Sequence, residues 1–220
     1  MNFQTRIKIC GITSVGDAEL AIASGADAIG MIFYPRSARY VDLKRAKAIA
    51  DSAGPFVTVV ALFVNARVEE IKHILSEVAI DCLQFHGDEA SEFCQQFSRP
   101  YMKTIKVPQA ENNDENRISA IQQHVIHESH SHPQAQAILL DTLHPKQVGG
   151  TGERFDWRCI PNTNNFRWVL AGGLNPDNVV EAVQQINPYA VDVCSGVESK
   201  PGIKDPNKVR QFIANIRALN

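Results

Sequence analysis

The sequence predicts an α/β protein folded as a single (βα)8 barrel, with its active site at the C-terminal face of the strands. Three observations carry that expectation. Short apolar runs recur roughly every 25 residues, each followed by a helical pattern, which is the signature of alternating βα units. Eight such units fit into 220 residues, a length that suits a compact closed barrel. Two small-residue turns, Gly172-Gly173 and Cys194-Ser195-Gly196, lie one helix apart near the C-terminus, and barrels of this class hold phosphate in the loops after strands 7 and 8. An open doubly wound sheet is the alternative; eight units favour closure.

Strands are expected near 6–10, 28–33, 57–64, 81–85, 101–107, 137–141, 167–171 and 190–194. In the first, Arg6-Ile-Lys-Ile-Cys10, period-2 alternation turns Ile7 and Ile9 toward the helices and Lys8 and Cys10 into the barrel. Helices are expected near 15–23, 43–53, 67–78, 89–97, 116–128, 175–185 and 205–217, with a short one near 155–159. Thr13, Asp42, Asn65, Asp88, Asn175 and Asp205 stand where N-caps belong, with Pro176 and Pro206 suited to the first helical position. Gly25 and Gly54 fit the position after a helix end, where a left-handed residue is needed. The repeats are structural, without internal sequence similarity, and no linker divides the chain, so residues 1–220 are expected to form one domain.

Composition narrows the function class. Hydrophobic content of 44% and charge of 21% are ordinary for a globular chain. A net charge of −2 offers no basic field to nucleic acid or to an anionic membrane. No apolar run has the length of a membrane span, and the N-terminus lacks a signal-peptide pattern. Five cysteines at scattered spacings, with no CxxC, point to reduced thiols and a cytoplasmic location. His124, His127, His130 and His132 fall within the irregular stretch 108–136. His124 and His127 share a helix face with no acidic or cysteine partner and the others read as loop, so no metal site is expected.

Chemistry in such a barrel belongs at the C-terminal strand tips. Cys10 ends the first strand one layer above Lys8, a setting that lowers a thiol's pKa and makes it a base or nucleophile. Strand 4 brings Gln84 and His86 to one face of its tip. Strand 6, Ala137-Ile-Leu-Leu-Asp141, is apolar until it ends on a carboxylate, a candidate acid. The loop after it, Pro145 to Gly152, is glycine-rich, as a mobile cover would be. Strand 2 leads into Tyr34-Pro-Arg-Ser-Ala-Arg39, which offers an arginine fork to a carboxylate or phosphate.

These motifs resemble the phosphoribosylanthranilate isomerase family along nearly the whole chain. The matching residues are Lys8-Ile-Cys-Gly-Ile-Thr13, Gly25-Ala, Gly30, Phe33-Tyr-Pro35, Arg39-Tyr-Val41 and Gln84-Phe-His-Gly87. They continue in Leu139-Leu-Asp141, Gly149-Gly-Thr-Gly152, Phe155-Asp-Trp157, Ala171-Gly-Gly-Leu174, Val191-Asp-Val193, Ser195-Gly-Val-Glu198, Gly202 and Lys204-Asp205. The chain departs from the family where it carries Cys194 in place of the usual serine, and stretch 108–136 is longer. The resemblance implies an Amadori rearrangement of N-(5-phosphoribosyl)anthranilate in tryptophan biosynthesis, with no metal or redox cofactor. It makes Cys10 the base and Asp141 the acid, with Arg39 on the anthranilate carboxylate. Gly172, Gly173, Ser195 and Gly196 then hold the phosphate, while His86 and Asp192 shape the pocket. The expected partner is this phosphosugar alone, for a monomer or homodimer. A related aminoaldose isomerase and a non-catalytic phosphosugar-binding barrel are the competing readings. The aminoaldose enzymes use two aspartates where this chain has Cys10, and a silent barrel would lack the acid or the base. Indole-3-glycerol phosphate synthase would need a longer chain and a lysine–glutamate set that is not found.

Overall fold

In a computed structural model, which describes residues 4–109, 114–143, 154–163 and 165–219, the chain alternates strands and helices. The strands are β1 (Arg6–Cys10), β2 (Ala28–Ile32), β3 (Thr58–Phe63), β4 (Cys82–Phe85), β5 (Tyr101–Val107), β6 (Ala137–Thr142), β7 (Trp168–Leu170) and β8 (Ala190–Val193). They pair in parallel in sequence order, and β1 pairs with both β2 and β8, which closes the ring. Register across the seam sets Lys8 beside Asp192 and Ile9 beside Val193.

Alternation sorts each strand's side chains. Ile7, Ile9, Ile138 and Leu140 face the large core between barrel and helices, while Leu139 joins Ala137, Val169, Ala171 and Ala190 in the barrel interior. The side chains of Phe63, Phe85, Phe155 and Phe212 are fully buried, each contributing about 1.5–3 kcal/mol by leaving water.

Around the barrel lie α1 (Val15–Ala23), α2 (Leu43–Ser52), α3 (Val68–Glu77), α4 (Ser91–Cys94), α5 (Glu115–His130), α6 (Val179–Ile186) and α7 (Pro206–Arg217). Asp42 and Asp205 cap α2 and α7 as the sequence predicts, and Gly25 and Gly54 have positive φ just beyond α1 and α2. Other starts differ. Ser14 rather than Thr13 caps α1, because Thr13 donates its hydroxyl to the Gly202 carbonyl. Asn65 sits at φ +50 and accepts from the Asp88 amide, so it ties two loops together and α3 begins after Arg67. The helix expected at 89–97 begins after Ala90 instead of at Asp88, and its second half, Gln95–Phe97, is a 3-10 turn.

Asn175-Pro176 does not open α6. The Asn175 side chain accepts from the amides of Asp177 and Asn178, and Asn178 donates to the Gly173 carbonyl. This closes a turn under Gly172-Gly173 and delays the helix to Val179. Between β6 and β7 the described residues hold only the 3-10 turn Trp157–Cys159, in place of the short helix expected at 155–159. His130, expected in a loop, lies in α5, and His132 is buried just past it. A small hairpin, β9 (Glu198–Lys200) and β10 (Ile203–Lys204), sits beyond β8 at the mouth of the barrel. No helix among the described residues is long and apolar enough to cross a membrane.

Candidate active site

The C-terminal ends of the strands enclose a cleft lined by Cys10, Arg39, His86, Asp141, Gly172, Gly173, Asp192 and Ser195. Eight of the nine residues expected at the site therefore meet in one place; Gly196 is the exception and does not line the cleft. A Cβ on Gly196 would collide with the Leu174 carbonyl oxygen, so its glycine lets the β8 turn pack against the β7 turn. Gly172 and Gly173 have φ +77 and +66, a region open to glycine at little cost. A Cβ on Gly172 would strike Thr142 and come 3.1 Å from Asp141 Oδ1. The Gly172-Gly173 turn is thus seated directly against the carboxylate at the tip of β6. The loop 144–153, with its Gly149-Gly-Thr-Gly152 motif and its expected role as a cover, lies outside the described residues.

Beneath the cleft the barrel interior is charged. Lys8 Nζ lies 2.8 Å from Asp192 Oδ1, and both side chains are more than nine-tenths buried. Burial opposes the ammonium, but Asp192 and Cys10 outweigh it and raise the lysine's pKa. Burial also pushes the Asp192 carboxyl up, to about 7, against the pull of Lys8. The two partners point in different directions: the lysine's shift favours the ion pair and the carboxyl's opposes it. The 2.8 Å contact decides for a charged pair above neutral pH.

Cys10 sits above this pair. Its Sγ and Lys8 Nζ both lie 3.0 Å from the point that a Cβ on Gly30 would occupy, so Gly30 makes the room in which they approach. The adjoining Cys194 thiol, whose Sγ also lies 3.8 Å from Glu198 Oε1, holds the Cys10 pKa well below the usual thiol value; burial opposes it and Lys8 adds to it. Cys194 is pushed the other way, by the same contact and then by burial. Lys8, which shares the space over Gly30 with Cys10, favours the charge on Cys10 of the two thiols.

On the other side of the cleft His86 Nε2 is 3.3 Å from Asp141 Oδ2, and Asp141 Oδ1 accepts from the Thr142 amide at 2.9 Å. Gln84 Nε2 lies 3.3 Å from His86 Nδ1. The turn after His86 is pinned from behind. Glu89 accepts from the amides of Asn65 at 2.7 Å and Gly87 at 3.0 Å, while Lys103 Nζ reaches Glu89 at 2.9 Å and the Gly87 carbonyl at 2.7 Å. The sequence reading missed this buried pair. A lysine inside the apolar run Tyr101–Val107 was the signal, since a buried ammonium demands a partner.

Arg39 reaches the cleft from the loop after β2, but its fork is already engaged: Nε and Nη2 donate to the two carboxylate oxygens of Glu198 at 2.9 and 2.8 Å. Glu198 was read only as part of a motif. Ile32, Leu62 and Val64 add apolar side chains to the lining, a surface that suits an aromatic ring.

The family model for N-(5'-phosphoribosyl)anthranilate isomerase matches residues 7–215. The chain belongs to the phosphoribosylanthranilate isomerase family. It is 48% identical over 215 residues to the N-(5'-phosphoribosyl)anthranilate isomerase of Neisseria meningitidis serogroup C, with 98% of each chain covered. The phosphoribosylanthranilate isomerase of Thermotoga maritima superposes with a TM-score of 0.81 at 38% identity, covering 97% of this chain and 99% of that one. Another crystal structure of a family enzyme, with reduced 1-(o-carboxyphenylamino)-1-deoxyribulose 5-phosphate bound, superposes with a TM-score of 0.73 at 35% identity over the same shares.

Proposed function

We propose that this chain, acting as one domain and as a monomer or homodimer in the cytoplasm, converts N-(5-phosphoribosyl)anthranilate to 1-(2-carboxyphenylamino)-1-deoxyribulose 5-phosphate by acid–base catalysis. The observation that carries it is the cleft that Cys10, Asp141, Arg39, Gly172, Gly173 and Ser195 line together. Two proton transfers by the protein carry the substrate to an enolamine. Asp141 in its protonated form gives a proton to the ribose ring oxygen as the C1–O bond breaks and the anilino nitrogen forms a C=N bond. Cys10 as thiolate then removes the C2 proton, and the electron pair moves to give the enolamine, which tautomerises to the ketone.

Cys10 and Asp141 come from β1 and β6, separated by β7 and β8 around the ring, so they flank a sugar bound between them. The His86 contact holds the Asp141 carboxyl in one orientation, and Lys8 supports the charge on Cys10. The phosphate rests on backbone amides of the Gly172-Gly173 and Ser195 turns, where a missing or minimal side chain permits close approach. Arg39 faces the aromatic carboxylate across the apolar wall. With both acid and base in place, a silent binding barrel is disfavoured.

The test is to mix the purified protein with freshly made phosphoribosylanthranilate and follow the loss of anthranilate-type fluorescence. A protein-dependent loss is expected. Loss no faster than that of substrate alone would overturn the reading.

A further inference from the structure

Arg39 is in a position that needs explaining. A surface arginine is flexible, and ordering its side chain costs entropy. Here the side chain is only 12% exposed and both oxygens of Glu198 hold it in a bidentate pair. Glu198 is itself fixed: its side chain is 4% exposed, and Lys204 Nζ, fully buried, donates to Oε1 at 3.1 Å. The same ammonium donates to the Cys194 carbonyl at 3.1 Å. The Glu198 backbone carbonyl accepts from Lys208 at 3.0 Å, which ties the start of the β9–β10 hairpin to α7. Burial opposes a charge on Glu198, yet the bonds from Arg39 and Lys204 keep its pKa below the usual carboxylate value.

This arrangement leaves Arg39 Nη1 without a protein partner among the described residues, on a side chain that lines the cleft. Two cations share one anion, so the cluster keeps one net positive charge at the cleft wall. The segment from Ser195 to Glu198 then does two jobs. At one end it forms the phosphate turn, and three residues later it supplies the carboxylate that fixes the arginine. Lys204 braces both ends by bonding Cys194 and Glu198 together.

We propose that Glu198 is a positioning residue: braced by Lys204, it fixes the Arg39 guanidinium at a set distance from the phosphate turn and so selects phosphosugars that carry a carboxylate on the far ring. The inference rests on the reading that Arg39 receives the aromatic carboxylate. A fixed, charged donor binds a carboxylate at a lower entropic cost than a free one, and a ligand without that carboxylate leaves the charge unpaired.

The experiment compares two probes: the reduced product analogue 1-(2-carboxyphenylamino)-1-deoxyribulose 5-phosphate in its reduced form, and the same compound lacking the ring carboxylate. Affinities are measured for the parent protein, Arg39→Ala, Glu198→Gln and the double variant, with inorganic phosphate as a third probe. Glu198→Gln is expected to weaken the carboxylate-bearing probe about 10- to 100-fold, and to change the other two probes by no more than a few fold. In the Arg39→Ala background the same substitution should have almost no further effect on the carboxylate probe.

If Arg39→Ala weakens both sugar probes equally, the reading of Arg39 fails. If Arg39→Ala discriminates between them but Glu198→Gln does not, the positioning role fails alone. Tighter binding of the carboxylate probe by Glu198→Gln would also overturn the inference, since it would make Glu198 a competitor for Arg39. Should Glu198→Gln not fold, Glu198→Asp serves the same comparison: it keeps the charge but is one methylene too short to hold both nitrogens and Lys204. Full retention of carboxylate selectivity by Glu198→Asp would count against the proposal.

Discussion

Replacing Lys8 with methionine keeps the volume of the side chain and removes the ammonium beneath Cys10. The structure sets the size of the effect. Lys8 Nζ and Cys10 Sγ share the space over Gly30, and two unit charges about 5 Å apart at an effective dielectric of about 20 attract by about 3 kcal/mol, or about 2 pKa units. Because Lys8 divides its charge with Asp192 at 2.8 Å, the expected rise in the Cys10 pKa is about 1 to 2 units. The assay is the rate of alkylation by iodoacetamide as a function of pH. The other thiols stay silent on the acid side: burial pushes Cys82 and Cys159 up to about 11 and Cys94 up to about 12, and Cys194 is raised as well. The acid limb of kcat should move with the alkylation midpoint. Breaking a buried pair by removing one partner typically costs about 3–5 kcal/mol, so the double variant Lys8→Met, Asp192→Asn separates lost stability from the thiol's own response. An alkylation midpoint that stays put in both variants would refute the assignment of Lys8 as the support for the thiolate.

Two further outcomes are expected. Cys194→Ser should leave turnover under reducing conditions nearly unchanged, because a hydroxyl, like a thiol, is a hydrogen-bond donor beside Cys10; inactivation by peroxide should run through the Cys10 thiolate and be slowed by bound product, and a failure of product to protect would place the sensitive thiol elsewhere. At the opposite face of the barrel, Asp27 accepts from the Ile7 amide at 2.8 Å and from Arg217 and Arg6 at 2.7 and 3.1 Å. Burial opposes its charge, but these bonds hold its pKa below the usual carboxylate value. A lowered folded-state pKa gives stability that is present above the unfolded value of about 3.9 and is lost as pH falls through the folded one. Asp27→Asn should therefore cost about 1–3 kcal/mol in denaturant unfolding at pH 7, with the gap from the parent narrowing below about pH 4 and turnover per folded molecule unchanged; a gap independent of pH would contradict the charge-based account.

The barrel was legible because each strand states its own alternation. Ile7 and Ile9 against Lys8 and Cys10 fixed the two faces of β1, and Asp141 at the end of an apolar run marked the tip of β6. Helix starts were harder to read, because a capping residue looks the same whether its side chain serves a helix or a loop. Asn175 makes the bonds of a cap, but makes them in a turn that the left-handed glycines and Asn178 hold back from the helix. Thr13 and Asn65 likewise spend their side chains on distant chain segments. The cleft residues were found because their chemistry is unusual at strand tips. The ones that support them were missed because pairs such as Arg39–Glu198 and Lys103–Glu89 join residues far apart in sequence, and nothing local pairs them. Interior layers of such barrels draw on alternate strands, which by itself sets the tips of neighbouring strands apart. The register at the seam decides otherwise: Lys8 and Asp192 are paired in the interior, and Cys10 and Cys194 follow them on the same face.

The central claim is that Asp141 and Cys10 move the two protons. It is tested most directly by single-turnover kinetics of Cys10→Ala and Asp141→Asn on phosphoribosylanthranilate, alongside their affinity for the reduced product. The account expects each variant to fold, to bind the reduced product within a few fold of the parent, and to turn over about 10²–10⁴ times more slowly. Near-normal turnover in either variant would contradict the role given to that residue.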